Sequence, residues 1–306
     1  MSKYIEAMMF SPKWHHYIFI VILLPFSFLY GFIMIVRRLL TQKKDFGIPI
    51  ISVGNLIVGG SGKTPFVIAL AERYDEVAVI SRGYGRESKG LIEVSQKGKV
   101  CTTVEQSGDE AMLMAISLPN ASVIVSEDRP KAIEFAKSKG AKIIVLDDGF
   151  SRVNILKFEI LLEPESIKNY LPFPSGAFRE FFFMKRYADL SLVEGKDFKR
   201  EVFFENLTEK MLLVTAISNP SRLDKYLPKG VISKFYLADH SYFDESELEK
   251  NMKKVGATTL LVTGKDEVKM RGFKLPLSKI KLKLNINNEI LIKCDEYLNS
   301  YKRKNS

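Results

Sequence analysis

The chain has 306 residues, 46% of them hydrophobic, enough for one large or two medium domains with a sizeable core. Its two cysteines, Cys101 and Cys294, exclude a disulfide framework and a cysteine metal site, and fit a reduced compartment. The net charge of +10 is concentrated at the ends: residues 1–46 carry six basic and two acidic side chains, and residues 269–306 ten basic and three acidic. A neutral middle between basic ends suggests contact with an anionic surface, either membrane or nucleic acid.

Tyr17 to Val36 is an uncharged apolar run, long enough as a helix to cross a hydrocarbon core of about 30 Å. Arg37, Arg38, Lys43 and Lys44 follow it, against Lys3 and Lys13 before it, which places the bulk of the chain in the cytoplasm. Its length and its Val-Arg-Arg exit are not those of a cleaved signal peptide. Pro25 lies inside the run, so a helix spanning the bilayer and one lying in the inner leaflet both fit.

Ile48 to Thr64 reads IPIISVGNLIVGGSGKT: a β-branched strand, a glycine-rich turn, then Gly-Lys-Thr leading into a helical run from Phe66 to Tyr74. This is the architecture of a phosphate-binding P-loop. Gly59, Gly60, Ser61 and Gly62 form a turn whose N–H groups can face phosphate oxygens; Lys63 supplies a charge and Thr64 a hydroxyl for Mg²⁺. The strict motif has glycine five positions before Gly62, where this chain has Ile57.

Beyond the loop, strands alternate with helices. Expected strands are 76–81, 121–126, 142–146, 158–162, 211–216, 231–237 and 258–263; expected helices are 108–116, 129–139, 221–226 and 244–255. After Lys279 a strand pair and a short helix are expected. The pattern implies an α/β fold: a P-loop NTPase-like, mostly parallel sheet flanked by helices, with a smaller second α/β subdomain and an N-terminal membrane helix. The expected division is a membrane anchor and basic flank over 1–46, a P-loop core over 47–204, and the subdomain over 205–306. Ligands of such sheets bind at the carboxyl ends of the strands, where the P-loop, Arg82, Asp109 and Asp147-Asp148 can converge.

The apolar strand ending in Asp147-Asp148 has the form of a Walker-B element, whose carboxylate holds Mg²⁺ directly or through water. Asp109 either complements a helix dipole or acts as a general base on an attacking hydroxyl. His240 has structural and catalytic readings. Arg82, Arg86, Arg129 and Arg179 are placed to clamp phosphate, with a solvated surface arginine the favoured reading of Arg86. The Thr263-Gly264-Lys265-Asp266 run has the wrong Lys-to-Asp spacing for a guanine-reading motif.

Taken together, GNLIVGGSGKTP, SRGYGR, SGDEAMLMA, SEDRPKA, VLDDGF, FPSGAFRE, ADHSYF and LLVTGKDEVK, behind an apolar N-terminal helix, resemble the tetraacyldisaccharide 4′-kinase family. These are the membrane-bound lipid A kinases of Gram-negative bacteria, and the resemblance covers nearly the whole chain. Ile57 is the family's own form of the loop. The resemblance implies transfer of the ATP γ-phosphate to the 4′-hydroxyl of a tetraacylated glucosamine disaccharide 1-phosphate, giving lipid IVA. It implies ATP and Mg²⁺ as cofactors, Lys63 on the β/γ-phosphates, and Thr64, Asp148 and Glu180 as metal ligands with Asp147 in support. It further implies Asp109 as catalytic base, His240 orienting it or tuning its pKa, and Arg129 stabilising the transferring phosphoryl group. Where the family commonly has Gln after DDGF, this chain has Ser151.

A substrate with four acyl chains stays in the bilayer, so the expected location is the bacterial inner membrane, with the active site on the cytoplasmic face. Inner-leaflet anionic phospholipid then becomes the partner of the basic ends. Phe178 to Phe183 can touch acyl chains or glucosamine, or pack on the core. Two rivals are a membrane-associated P-loop ATPase that switches a protein partner, and a nucleotide-binding nucleic-acid adaptor. The first lacks the lysine expected before the first glycine of its deviant loop, where Val58 stands. The second finds no nucleic-acid module here, so no nucleic-acid partner is expected.

Overall fold

The computed structural model describes residues 3–59, 62–164 and 167–304. The chain forms two compact units: 1–67, 137–199 and 286–306 make the first, and 68–136 and 200–285 the second. They cut across the contiguous blocks 47–204 and 205–306 expected from sequence. One reason is the final helix, Asn288–Lys304, which belongs to the first unit. There Tyr297 stacks on Phe158, ring centroids 5.0 Å apart, and its hydroxyl accepts a hydrogen bond from the Ile50 amide at 3.2 Å.

In the first unit, the strand Ile50–Gly54 lies between Ile143–Asp147 and Phe158–Glu163, parallel to both, and Leu190–Val193 extends the sheet in parallel. Ile50–Gly54 and Ile143–Asp147 are buried at every position, which is why they read as unbroken apolar runs rather than alternating ones. The register pairs Val53 with Asp147, so the phosphate loop and the Asp147-Asp148 turn leave the sheet at the same level.

In the second unit, Val77–Ser81 pairs in parallel with Ser122–Val125. A hairpin of Ile92–Gln96 and Lys99–Val100 adds to Ser122–Val125 in the antiparallel sense. A second sheet runs in the order Val231–Tyr236, Met211–Thr215, Thr259–Thr263, Leu277–Ile286, Phe198–Glu205. Its first three junctions are parallel. The expected strand pair after Lys279 is a single strand followed by a helix of 17 residues. From Lys279 to Leu284 lysine alternates with Ile or Leu and no Gly, Pro, Asn or Asp intervenes, so nothing breaks the run into two. Mostly parallel sheets with flanking helices and an apolar N-terminal helix agree with the fold class read from sequence.

The apolar run forms the helix Tyr17–Leu40; within Trp14–Leu40 it is the one helix among the described residues long and apolar enough to cross a membrane. It is docked on its own unit. The Ser175 hydroxyl donates to the Ile20 carbonyl at 3.1 Å, and the Ser175 amide donates to the Ser27 hydroxyl at 2.8 Å. At Gly31 the ring of Phe181 lies against the helix backbone, so a Cβ there would force the ring to move.

Candidate active site

The site residues form two clusters, one in each unit. In the first, the strand Ile50–Gly54 runs into the phosphate loop, and the helix Lys63–Ala71 leaves it. Gly59 and Gly62 stand at positive φ, 92° and 73°, the backbone curl expected of the turn. Gly60 and Ser61 lie outside the described residues. Ile57 is 5% exposed and packs with Leu56, Phe150, Phe178, Met8 and Met9. The chain on either side pairs with 177–179: the Val58 amide donates to the Ala177 carbonyl at 2.9 Å, and the Arg179 amide to the Leu56 carbonyl at 2.7 Å. Ile57 therefore fills core volume that glycine would leave empty.

Lys63 reaches back to Asn55 Oδ1 at 3.0 Å and to Asp148 Oδ1 at 3.3 Å. Asp148 is in the left-handed region, φ 53°, a strained conformation for a non-glycine residue. Arg179 grips it from the other side, Nη1 donating to Oδ1 at 3.1 Å and Oδ2 at 2.8 Å. Burial works against the Asp148 anion, but Lys63 and then Arg179 outweigh it and hold the carboxyl below its ordinary range. Thr64 and Asp147 are buried, at 5% and 3% exposure. Behind the turn, Phe150 packs so tightly on Gly54 that a Cβ there would lie 2.6 Å from the Phe150 Cβ.

Glu180, expected as a metal ligand, is 2% exposed. Both its carboxylate oxygens are taken by Arg38, Nε to Oε2 at 3.0 Å and Nη2 to Oε1 at 2.9 Å. Asn55 and Arg38 are additions that sequence reading did not single out as site residues.

In the second unit, Gly108 (φ 84°) turns the chain into the helix Asp109–Ser117. Asp109 is buried at its first position, where the helix dipole favours an anion. His240, itself left-handed at φ 62°, directs Nδ1 to Asp109 Oδ2 at 3.0 Å and Oδ1 at 3.2 Å. Its Nε2 faces Asp239 Oδ2 at 3.6 Å, and the Tyr84 ring covers it at 5.3 Å. Lys269, with 2% of its side chain exposed, approaches Asp109 Oδ2 at 3.2 Å and donates to the Ser241 carbonyl at 3.3 Å. Lys265 pairs with Glu110.

Burial opposes the Asp109 anion. The hydrogen bond from His240, then Lys265 and Lys269, overcome burial and push the carboxyl far below its ordinary range. The same hydrogen bond raises His240 above its ordinary 6.5, against desolvation. Lys265 lies in the discounted Thr263–Asp266 run and both lysines lie in the LLVTGKDEVK motif, but sequence reading singles out neither as a site residue. Asp266 of that run is instead structural: it is buried, accepts from the Ala216 amide at 2.9 Å and forms a capping box with Thr263. The i, i+4 spacing of Lys265 and Lys269 just beyond a buried strand was the available signal.

Arg129, expected on the phosphoryl group, is 1% exposed at the start of the helix Arg129–Ser138, its guanidinium donating to the Ser126 carbonyl. Arg82 is exposed. Arg86 is not the solvated residue expected: only 2% of its side chain is exposed, and it bridges Glu127 Oε1 at 2.5 Å and the Gly90 carbonyl at 2.6 Å.

The model of the family described as Tetraacyldisaccharide-1-P 4'-kinase matches residues 19–299. A tetraacyldisaccharide 4'-kinase of Helicobacter acinonychis is 49% identical over 302 residues, covering 98% of this chain and 96% of that protein. One of Aliarcobacter butzleri is 44% identical over 309 residues, covering 98% of each. The crystal structure of LpxK from Aquifex aeolicus in complex with ATP is similar with a TM-score of 0.76 and 30% identity, over 92% of this chain and 99% of that one. With a matched region that runs from the apolar helix through the final one, and relatives of nearly equal length, this chain belongs to the tetraacyldisaccharide-1-P 4'-kinase family.

Proposed function

We propose that this protein transfers the γ-phosphate of ATP to the 4′-hydroxyl of a tetraacyldisaccharide 1-phosphate. The observation that carries the reading is Asp148 at the end of a buried strand, bracketed by Lys63 of the phosphate loop and by Arg179. Lys63 and the loop amides are suited to the β- and γ-phosphates. Phosphate suited to Lys63 and Arg179 would compete with Asp148 for both cations and so expose its carboxylate oxygens.

Hard oxygen donors suit Mg²⁺, which commonly takes one or two carboxylates and completes its shell with phosphate and water. Thr64 and Asp148, with Asp147 in support, would hold it, and it would supply neutralisation of the charge that develops on transfer. Glu180 is assigned to Arg38 rather than to metal.

Asp109 takes the proton of the attacking hydroxyl, and His240 holds and tunes it. Three neighbouring cations make Asp109 a weak base, so its strength rises when His240 loses its charge. Arg129 stabilises the transferring phosphoryl group in this reading. By function, residues 1–46 anchor the chain, 47–204 carry the phosphate machinery and Asp109, and 205–306 contribute His240.

Membrane attachment is assigned to the apolar helix, with the active site on the cytoplasmic face of the bacterial inner membrane and anionic phospholipid against the basic ends. The docked face, from Ile20 to Arg38, extends about 27 Å at 1.5 Å per residue. A helix held along that length by its own unit fits the interface better than a bilayer crossing. Its other face, with Ile18, Ile22, Leu29 and Phe32 all more than half exposed, is suited to acyl chains.

The test is transfer of label from γ-³²P ATP to the disaccharide 1-phosphate with Mg²⁺. A labelled lipid is expected. ATP hydrolysis without labelled lipid would favour a partner-switching ATPase. Deleting residues 1–36 should release the protein from membranes; continued sedimentation would move the attachment to the basic tail or the aromatic loop.

A further inference from the structure

Arg38 closes the apolar helix, and no step described above uses it. Only 6% of its side chain is exposed, and 3% of that of its partner Glu180. Its guanidinium makes three kinds of contact at once. The fork grips both oxygens of Glu180. Nη2 also donates to the Phe150 carbonyl at 3.2 Å, and the guanidinium carbon lies 4.4 Å from the Phe150 ring centre. Arg37 adds a bond from Nη2 to the Ser151 carbonyl at 2.9 Å.

These contacts fall on the residues that shape the phosphate site. Phe150 and Ser151 directly follow Asp147-Asp148-Gly149, and Phe150 rests on Gly54 where the strand enters the phosphate loop. Glu180 is the chain neighbour of Arg179, which holds Asp148 with two hydrogen bonds. The Arg179-Glu180 dipeptide thus sits between two ion pairs, one to the carboxylate of the site and one to the end of the helix. Asp148 is in a strained backbone conformation, and such a conformation persists only where its surroundings over-determine it.

We propose that Arg38 is a positioning residue for phosphoryl transfer, tying the end of the lipid-facing helix to the Asp148–Ser151 turn through Glu180 and Phe150. A bidentate, stacked arginine is suited to this, because its planar fork fixes orientation as well as charge, which a lysine cannot do. Attachment of the helix to lipid and the geometry of the turn are then mechanically one assembly. The inference rests on the proposed kinase reaction.

The test compares wild type with Arg38→Lys and Glu180→Gln in full-length protein on phospholipid vesicles. Arg38→Lys keeps the charge and loses the fork and the stacking. It is expected to lower kcat for lipid phosphorylation by about 10- to 100-fold, the scale of a misplacement near 1 Å. KM for ATP should change less than about threefold and sedimentation with vesicles should not change, the pattern of lost alignment rather than lost binding. Hydrogen exchange of the amides at 149–151, measured without nucleotide, should quicken in both variants while the amides of 211–215 stay protected. Wild-type kcat and exchange in Arg38→Lys would overturn the proposal. So would loss of protection throughout, or a loss of kcat that tracks release from vesicles. Failure of the kinase reading itself would show separately, as no labelled lipid from wild type.

Discussion

Asp148 in the first unit and Asp109 in the second are both acids held ionised by cations, yet their enclosures differ. The Asp148 side chain is 34% exposed and that of Asp109 4%. The partners of Asp148 are Lys63 and Arg179, themselves 13% and 31% exposed, which an arriving polyphosphate and metal can draw away. The partners of Asp109 are His240 and the buried Lys269, fixed by a neighbouring turn and a carbonyl. The open pair suits exchange of partners on binding, and the closed cluster suits a base whose orientation must not change.

Several substitutions would break or sharpen that contrast. The largest effect is expected from Asp109→Asn: turnover falls on the order of 10²- to 10⁴-fold while ATP affinity, measured by equilibrium binding, persists. An equal loss of ATP affinity would make Asp109 a binding residue and remove the contrast. Lys63→Met is expected to cost about 10²- to 10³-fold in kcat. Unlike Asp109→Asn it should also weaken ATP binding, because it belongs to the exchanging pair.

Lys269→Met should cost about tenfold, the loss of a buried partner that orients Asp109 outweighing the gain in its basicity. By removing one cation it raises the Asp109 pKa, so the acid limb of the pH–kcat profile moves to higher pH. An unmoved limb would mean that Lys269 only supports the fold.

The mildest test is pH. His240 is raised above 6.5 by Asp109, so the stability from its charged form is fully present below 6.5 and is lost as pH rises through the folded value. Activity should move oppositely, climbing through the same window as His240 discharges and Asp109 becomes a better base. His240→Asn should flatten both trends in melting and rate profiles. Retention of the rate step would place the titrating group elsewhere.

How legible each part was follows from how local its cause is. The sequence expectations came within a few residues of the buried strands, because a strand covered on both faces is apolar throughout, as in Ile143–Asp147. The hairpin Ile92–Gln96 with Lys99–Val100 escaped, being short and half polar. Phosphate-loop chemistry is carried by contiguous residues, so Lys63, Thr64 and Asp148 could be singled out directly. Lys269 and Arg38 could not, since their partners lie 160 and 142 positions away in the chain.

The sequence by itself determined the fold class, the phosphate loop, the carboxylates and the family, because each is written in short motifs whose order survives without coordinates. It also showed that an apolar helix precedes the loop. Only the tertiary structure decided what those parts touch. It made Ile57 a core residue, turned Glu180 toward Arg38, and laid the apolar helix along its own unit. Those outcomes depend on which buried charge finds which partner and which glycine admits which ring, and such pairings exist only once distant segments are packed together.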